Sequence, residues 1–133
     1  MIVADASVLV AAVADDSAAG EAAREHLIRE DVAIPYLADL EVVSALRGLT
    51  RSGIISQEAA TRALRAYQSL PLVRAEHDPL LDRCWELRDN LTVYDASYVA
   101  LAEVLEAPLV TGDQRLANAA GVRCSMILLA DNA

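Results

Sequence analysis

Short apolar segments alternate with longer segments of helical period along the whole chain, and this alternation constrains the fold more than any other feature. Short apolar runs are typical of strands buried on both faces of a parallel sheet. We predict strands over Ile2–Ala4, Val32–Pro35, Leu72–Arg74, Leu109–Thr111 and Met126–Leu129. We predict helices over Val8–Ala14, Ser17–Arg29, Leu40–Arg51, Gln57–Leu70, Pro79–Asp89, Tyr94–Leu105 and Gln114–Ala119. Alternating elements of this kind indicate an α/β fold with a central parallel sheet of about five strands.

The length and composition indicate one folded unit, which we expect to span residues 1–133 as a single domain. A content of 55% hydrophobic residues excludes a disordered chain, and no Gly, Ser or Pro linker divides the sequence. No apolar run approaches the roughly 18 residues that a membrane span needs, and the first residues lack a basic signal-peptide region. We therefore expect a cytoplasmic protein without a membrane segment.

The basic residues other than histidine are all arginine, and the absence of lysine excludes several classes of enzyme. The chain has 11 Arg and no Lys, and 20 acidic residues give a net charge of −9. A P-loop and a Schiff-base enzyme each need a lysine, so neither is possible here. The negative charge also argues against a protein that coats nucleic acid non-specifically. Nucleic acid remains a possible substrate if the acidic residues hold metal ions.

Four acidic residues share one predicted location. Asp5 follows the first strand, Asp113 follows the fourth, and Glu41 and Asp95 open helices. In a parallel α/β sheet the carboxyl ends of strands and the starts of helices lie at one edge, where ligand crevices form. Like charges gathered there repel each other unless a cation is present. Oxygen ligands without His or Cys suit a hard divalent ion, Mg²⁺ or Mn²⁺.

Each of these residues also has an alternative interpretation as a helix cap, because acidic and hydroxyl side chains satisfy the free N–H groups of a first turn. A capping role would need no ligand. The alternative caps are Asp5 or Ser7, Asp39 with Glu41 behind it, Thr92 with Asp95 as a capping box, and Asp113.

Four motifs in order along the chain resemble the PIN-domain ribonucleases, and among them the VapC-type toxins of bacterial toxin–antitoxin pairs. The motifs are Val3-Ala4-Asp5-Ala6-Ser7, the helix acid Glu41, the run from Tyr94 to Ala102, and the run from Leu109 to Leu116. The resemblance implies a three-layer sandwich around the parallel sheet and a metal-dependent endoribonuclease that uses Mg²⁺ or Mn²⁺. It also implies a homodimer, and inhibition by a cognate antitoxin whose tail occupies the active-site groove.

The resemblance assigns roles to individual residues. Asp5, Glu41, Asp95 and Asp113 match the family's catalytic, metal-binding quartet. Ser7 and Thr111 match its hydroxyl positions, which would support a metal-bound water or orient a carboxylate. The alternative for this pair is structural, since a Ser after a strand caps a helix and Thr is a common strand residue.

Arginines near the quartet are candidate phosphate contacts. Arg115 follows Asp113 by two residues, and Arg47 and Arg51 lie one turn apart on the helix that carries Glu41. The alternative is that they form ordinary ion pairs on helix faces.

Two other classes of function compete with the nuclease. A receiver-like or haloacid-dehalogenase-like phosphoryl-transfer domain also places acids and Mg²⁺ at strand ends, but such families use a lysine that this chain lacks. A catalytically degenerate PIN module would only bind a partner or RNA.

Two predicted helices have apolar stripes. One stripe, on the helix from Leu40, contains Val42, Val43, Leu46 and Leu49. The other, on the next helix, which Ser56 would cap, contains Ala60, Leu64 and Tyr67 and leaves a choice open between core packing and a partner interface.

Overall fold

The computed structural model describes residues 1–129, and in this part of the chain five strands and seven α-helices alternate. The strands are β1 (Ile2–Ala4), β2 (Val32–Pro35), β3 (Leu72–Ala75), β4 (Leu109–Thr111) and β5 (Met126–Leu128). The helices are α1 (Ala6–Ala14), α2 (Ala18–Arg29), α3 (Leu37–Arg51), α4 (Gln57–Gln68), α5 (Leu81–Glu86), α6 (Val93–Leu105) and α7 (Gln114–Ala117). All five predicted strands are confirmed, with ends that differ by one residue at most.

The strands form one parallel sheet in the order β3-β2-β1-β4-β5. The register aligns Val3 of β1 with Ala33 of β2 on one side and with Leu109 of β4 on the other. The chain builds outward from β1 through β2 to β3 and then crosses to the opposite side of β1. The strand order therefore reverses between β1 and β4, and in open α/β sheets ligands bind at such a reversal, beyond the carboxyl ends of the strands.

Helices cover the sheet in two groups. One group is formed by α1 with α2, α3 and α4, and the other by α6 with α5, with α6 lying against β1, β2 and β4. Seven consecutive residues of α6, from Ala96 to Ala102, are buried. This burial fixes the helix tightly against the strands, so the first turn of α6 is held at the carboxyl edge of the sheet.

Several helix boundaries differ from the prediction, and capping explains them. α1 begins at Ala6 because Asp5 caps it, accepting a hydrogen bond from the amide of Val8 at 3.2 Å. α3 begins at Leu37, three residues earlier than predicted, and the amide of Leu37 donates to Nε2 of His77 at 3.0 Å. Asp39 therefore lies inside α3, and the prediction that it caps this helix is wrong.

The other differences concern the ends of helices. The helix predicted over Pro79–Asp89 is divided into a 3₁₀ turn, Asp78–Leu80, and the short α5. α4 and α7 each end two residues before the predicted position. These ends are set by single-turn hydrogen bonds, which periodicity does not resolve.

The amphipathic patterns of α3 and α4 are confirmed in part. Val42 and Leu46 are buried, but Val43 is 45% exposed because it is rotated by one residue from their stripe. In α4, Tyr67 is buried and Leu64 packs against the core, which favours the core interpretation of that stripe. Within residues 1–129, no helix is both long and apolar enough to cross a membrane.

Candidate metal and RNA site at the carboxyl edge of the sheet

Asp5 lies at the centre of the carboxyl edge and is held there by three donors. Its Oδ1 accepts from Oγ of Ser7 at 2.5 Å and from the amide of Val8 at 3.2 Å, and its Oδ2 accepts from the hydroxyl of Thr111. Asp5 is 6% exposed. Burial raises the pKa of Asp5 above its ordinary value, while these hydrogen bonds oppose the rise. The carboxylate is thus fixed in direction by hydrogen bonds from β4 and α1 together.

The loop after β4 is joined to Asp5 through two hydroxyls. The Thr111 hydroxyl also accepts from the amide of Asp113 at 3.0 Å, and Oγ of Ser7 accepts from the amide of Gly112 at 2.9 Å. A side chain at Gly112 would place its Cβ 3.2 Å from that oxygen, so glycine allows the loop to approach closely. Ser7 and Thr111 therefore orient Asp5 and bring Asp113 to the same edge.

Asp113 and Asp95 both belong to helix starts, as the capping alternative predicted. Oδ1 of Asp113 accepts from the amide of Arg115 at 2.9 Å, and this residue caps α7. Thr92 caps α6 and accepts from the amide of Asp95 at 3.1 Å. In Asp95 that bond uses only the backbone amide. Its carboxylate lies in the first turn of the helix, where the Thr92 side chain opposes the rise in its pKa, and the cap itself leaves this carboxylate as a possible ligand.

Glu41 is anchored by Tyr98, for which the sequence motifs predict no role. The hydroxyl of Tyr98 donates to Oε1 of Glu41 at 2.6 Å, and Tyr98 is 1% exposed. The signal for this contact is weak in the sequence. Tyr98 lies three residues after Asp95, on the same face of α6. It carries a polar atom on an otherwise apolar stretch of helix, and a buried tyrosine hydroxyl usually has a partner.

The charges of the four acids are coupled across the edge. Burial raises the pKa of Glu41, and the negative charges of Asp95 and Asp5 raise it further against the opposing bond from Tyr98. Burial also raises the pKa of Asp95, followed by the charges of Asp5 and Asp113. Each of these carboxylates therefore experiences the repulsion of at least one other. The tertiary structure brings the predicted quartet into one electrostatic unit.

The donor set fits a hard divalent cation in its chemistry. All four side chains offer carboxylate oxygens, and a bound cation would relieve the repulsion that raises the pKa values of Glu41 and Asp95. Across the described residues, no group of three or more His, Cys, Asp or Glu side chains is placed so that it could hold a metal ion. Mg²⁺ commonly keeps several waters and takes only one or two carboxylates directly, so an open site of this kind is compatible with it.

Two depressions flank the acids. A cleft of about 530 Å³ contains Asp95, Asp113 and Arg115 together with Arg88. A groove of about 670 Å³ runs past Glu41 and Ser7 between α1 and α3. Arg115 is thus placed beside the quartet, where its guanidinium lies 3.8 Å from Oδ2 of Asp113.

The remaining predicted arginines have a different environment. Arg47 and Arg51 are exposed on α3. The part of α3 that lines the groove consists of Glu41, Ser44, Ala45, Gly48 and Leu49. The structure therefore does not bring Arg47 and Arg51 together with the acids, and their contact with phosphate stays a prediction.

Comparisons with known sequences agree with this arrangement. A protein-family model described as the PIN domain matches residues 2–122. Ribonuclease VapC1 of Mycobacterium tuberculosis is 44% identical over 129 residues, covering 96% of each chain. Ribonuclease VapC9 of the same organism is 39% identical over 129 residues, covering 97% of this chain and 98% of its own.

Solved structures show the same fold. The crystal structure of PAE2754 from Pyrobaculum aerophilum has a TM-score of 0.68 and 31% identity, covering 94% of this chain and 81% of that one. VapC20 of Mycobacterium tuberculosis, described as a toxin that cleaves the sarcin–ricin loop, has a TM-score of 0.67 and covers 92% of this chain and 97% of its own. At 17% identity the second likeness concerns the fold alone.

Proposed function

The chain belongs to the PIN-domain family, and we propose that it is a metal-dependent endoribonuclease acting as the toxin of a VapC-type toxin–antitoxin pair. The observation that carries the proposal is the coupling of Asp5, Glu41, Asp95 and Asp113 at the reversal of strand order. A purely structural set of helix caps would not require carboxylates so close that the charges of Asp5 and Asp95 raise the pKa of Glu41, and those of Asp5 and Asp113 raise the pKa of Asp95.

In the proposed reaction, the residues of the site would have three roles: metal binding, orientation of the carboxylates, and contact with phosphate. Asp5, Glu41, Asp95 and Asp113 would hold the cation, directly or through its bound waters. When bound, Mg²⁺ or Mn²⁺ supplies a Lewis acid and a water of lowered pKa for attack on phosphorus. Ser7 and Thr111 hold Asp5 in one orientation through their hydroxyls. Tyr98 does the same for Glu41. Arg115 would meet a phosphate, since its side chain is 90% exposed and its contact with Asp113, at 3.8 Å, is long.

The competing functions are less well supported. Family membership argues against a receiver-like or haloacid-dehalogenase-like phosphoryl-transfer domain. A degenerate PIN module would be expected to lose parts of the site. Here the four acids and the hydrogen bonds that orient Asp5 and Glu41 are all present.

Cleavage of RNA by the purified protein tests the proposal. We expect cleavage with Mg²⁺ or Mn²⁺, no cleavage in EDTA, and products with a 5′ phosphate, because an activated water is the proposed nucleophile. Asp95→Asn should abolish cleavage. Asp82→Asn, at an exposed position of α5, is the matched control and should cleave normally. Equal cleavage in EDTA, or a 2′,3′-cyclic phosphate product, would contradict the mechanism.

The proposal includes its partners and location. As a toxin, the protein would act on cytoplasmic RNA, form a homodimer, and bind an antitoxin that places a basic side chain among the carboxylates. Such a side chain would relieve the same repulsion as a cation. Co-expression with the product of a neighbouring small gene should give a stable complex of low nuclease activity. Size-exclusion chromatography that shows two separate proteins would reject the antitoxin assignment, and a monomer elution volume would reject the dimer.

A further inference from the structure

The cleft beside Asp95 and Asp113 contains a second arginine, Arg88, which lies outside the sequence motifs. Arg88 lines it, together with Arg115 on the other side of the acids in the chain. Among residues 1–129, no carboxylate lies within ion-pairing distance of the Arg88 guanidinium, whereas Arg29, Arg74 and Arg83 each have an acidic partner. Several other arginines in this part of the chain also lack such a partner, and what distinguishes Arg88 is its place in the cleft that contains Asp95 and Asp113.

The position of Arg88 is restricted although it is exposed. Its guanidinium lies 4.1 Å from the centre of the Trp85 ring, and its Nη1 donates to the carbonyl of Trp85 at 2.8 Å. Cation–π contact and this bond hold the planar group while leaving most of its N–H donors available. A pre-organised guanidinium loses little entropy when it binds a phosphate.

Trp85 is the only tryptophan in a chain with 4% aromatic residues and no phenylalanine. It is 66% exposed, although the transfer of its large ring from water would be favourable. Proteins that bind single-stranded nucleic acid combine positive side chains, which follow the nucleic-acid backbone, with exposed aromatic rings on which bases stack. Arg88 and Trp85 supply one of each, since Arg88 lines the cleft and the Trp85 ring lies against the Arg88 guanidinium.

The size of the cleft also suits a nucleotide. Its volume of about 530 Å³ lies within the range of small-ligand pockets, roughly 300–1,000 Å³. Asn90 and Thr92, which also line it, are already engaged: Asn90 donates to the carbonyl of Ala120, and Thr92 accepts from the amide of Asp95. The lining also includes Asp89, Leu91 and Leu116, so the two arginines are the cationic side chains of the cleft that can contact a phosphate.

We propose that this cleft binds the RNA nucleotide next to the scissile phosphate, with Arg88 contacting its phosphate and Trp85 stacking on its base. The inference rests on the proposed ribonuclease function and adds a substrate-binding subsite to it. It assigns Arg88 and Trp85 to substrate binding and leaves the chemical step to the acids.

Fluorescence of the single tryptophan tests the stacking directly. In the presence of EDTA, which prevents cleavage, a short single-stranded RNA of mixed sequence should quench the emission of Trp85, because every base has a face that can stack. The same backbone made with abasic residues should bind more weakly and should not quench. RNA that binds by anisotropy without changing the emission would overturn the stacking assignment.

Substitutions test the energetic contribution. In single-turnover cleavage, Trp85→Ala and Arg88→Gln should each raise the half-saturating protein concentration about tenfold, with little change in the maximal rate. Trp85→Phe should restore most of the affinity. Arg88→Gln should also lower the slope of log affinity against log salt by about 0.7, the value of one lost single-strand contact. Arg29→Gln, which removes an equal charge on α2, is the matched control and should leave both quantities unchanged.

The outcomes separate this inference from the function on which it rests. If the wild type cleaves RNA and the two variants show unchanged half-saturation and salt slope, the subsite is wrong and the nuclease stands. If the wild type neither binds nor cleaves RNA, both are wrong. A fall in maximal rate alone would move Arg88 from substrate binding to the chemical step and would also overturn the assignment.

Discussion

Replacement of Thr111 by valine is the sharpest test of how the site is built. Thr111 is fully buried, and its hydroxyl donates to Asp5 and accepts from the amide of Asp113 at 3.0 Å. Valine has nearly the same shape, so the packing of β4 is retained while both hydrogen bonds are lost. Asp5 then has one carboxylate oxygen without its donor, and the Asp113 amide has no acceptor.

The expected loss of stability is large for a single oxygen atom. A hydrogen bond to a charged group contributes about 1.5–3 kcal/mol, and an unsatisfied buried partner adds to the loss. We therefore expect Thr111→Val to lower the free energy of unfolding by about 2–4 kcal/mol. With an unfolding entropy of about 0.3 kcal/mol/K for a chain of 133 residues, 3 kcal/mol corresponds to a fall in Tm of about 10 °C.

The loss should depend on pH in a defined direction. The Thr111 bond opposes the rise in the pKa of Asp5, so its removal raises this pKa further. The added destabilisation applies only to the ionised carboxylate. It is therefore largest at neutral pH and becomes smaller as the pH falls through the pKa of Asp5 in the folded protein, where both proteins are protonated. The variant should also need a higher pH or more Mn²⁺ for the same cleavage rate.

Urea unfolding in EDTA, at neutral and at acidic pH, measures this difference. Thr61→Val is the matched control, since its hydroxyl bonds only to the carbonyl of Gln57 on the exposed side of α4. Its effect should stay within about 0.5 kcal/mol. An equal effect of both substitutions, or a loss for Thr111→Val that does not change with pH, would refute the role given to this hydroxyl.

Three further predictions follow from other contacts. Asp95→Asn should keep or raise the Tm in EDTA, because it removes one of several negative charges that repel each other. In thermal melts, Mn²⁺ at a hundredfold excess over Kd should stabilise the wild type by about 2.7 kcal/mol and the variant much less. Tyr98→Phe should weaken the activation of cleavage by Mn²⁺ by releasing Glu41, measured as a rise in the half-activating metal concentration, with rates at saturating metal changed less. Asp39→Asn should lower the free energy of unfolding in urea by about 1 kcal/mol at neutral pH, because it removes a partly exposed ion pair with Arg74. That pair lowers the pKa of Asp39, so the difference should disappear as the pH falls through this pKa, and a difference that stays constant would contradict the assignment.

Much of the fold could be predicted from local patterns. The five strands, the single parallel sheet and the caps Asp5, Ser56 and Asp113 follow from runs and spacings of a few residues. Such features depend on the backbone and on neighbours within about one turn, so the sequence contains the needed information. The order of the four acids along the chain and the absence of lysine, which excludes several classes of enzyme, are also read directly from the sequence.

The contacts of individual side chains could be predicted less well from the sequence. Asp39 was predicted as a cap, yet it accepts from Arg74 at 2.9 and 3.0 Å and from the hydroxyl of Tyr67 at 2.6 Å. Val43 was placed in an apolar stripe and is largely exposed. Both errors come from helix α3, whose start and rotation are set by packing against other elements.

The sequence by itself determined which residue types can act here and that they follow strand ends and open helices. Only the tertiary structure decided that β4 lies beside β1, which places Thr111 against Asp5 across 106 positions of the chain and Tyr98 against Glu41 across 57. The physical reason is that the hydrophobic periodicity of the sequence indicates which face of a helix or strand is buried, whereas the order of strands depends on how all the elements pack together. The hydrogen bonds that orient the acids, and the cleft that contains Arg88, arise at that second level.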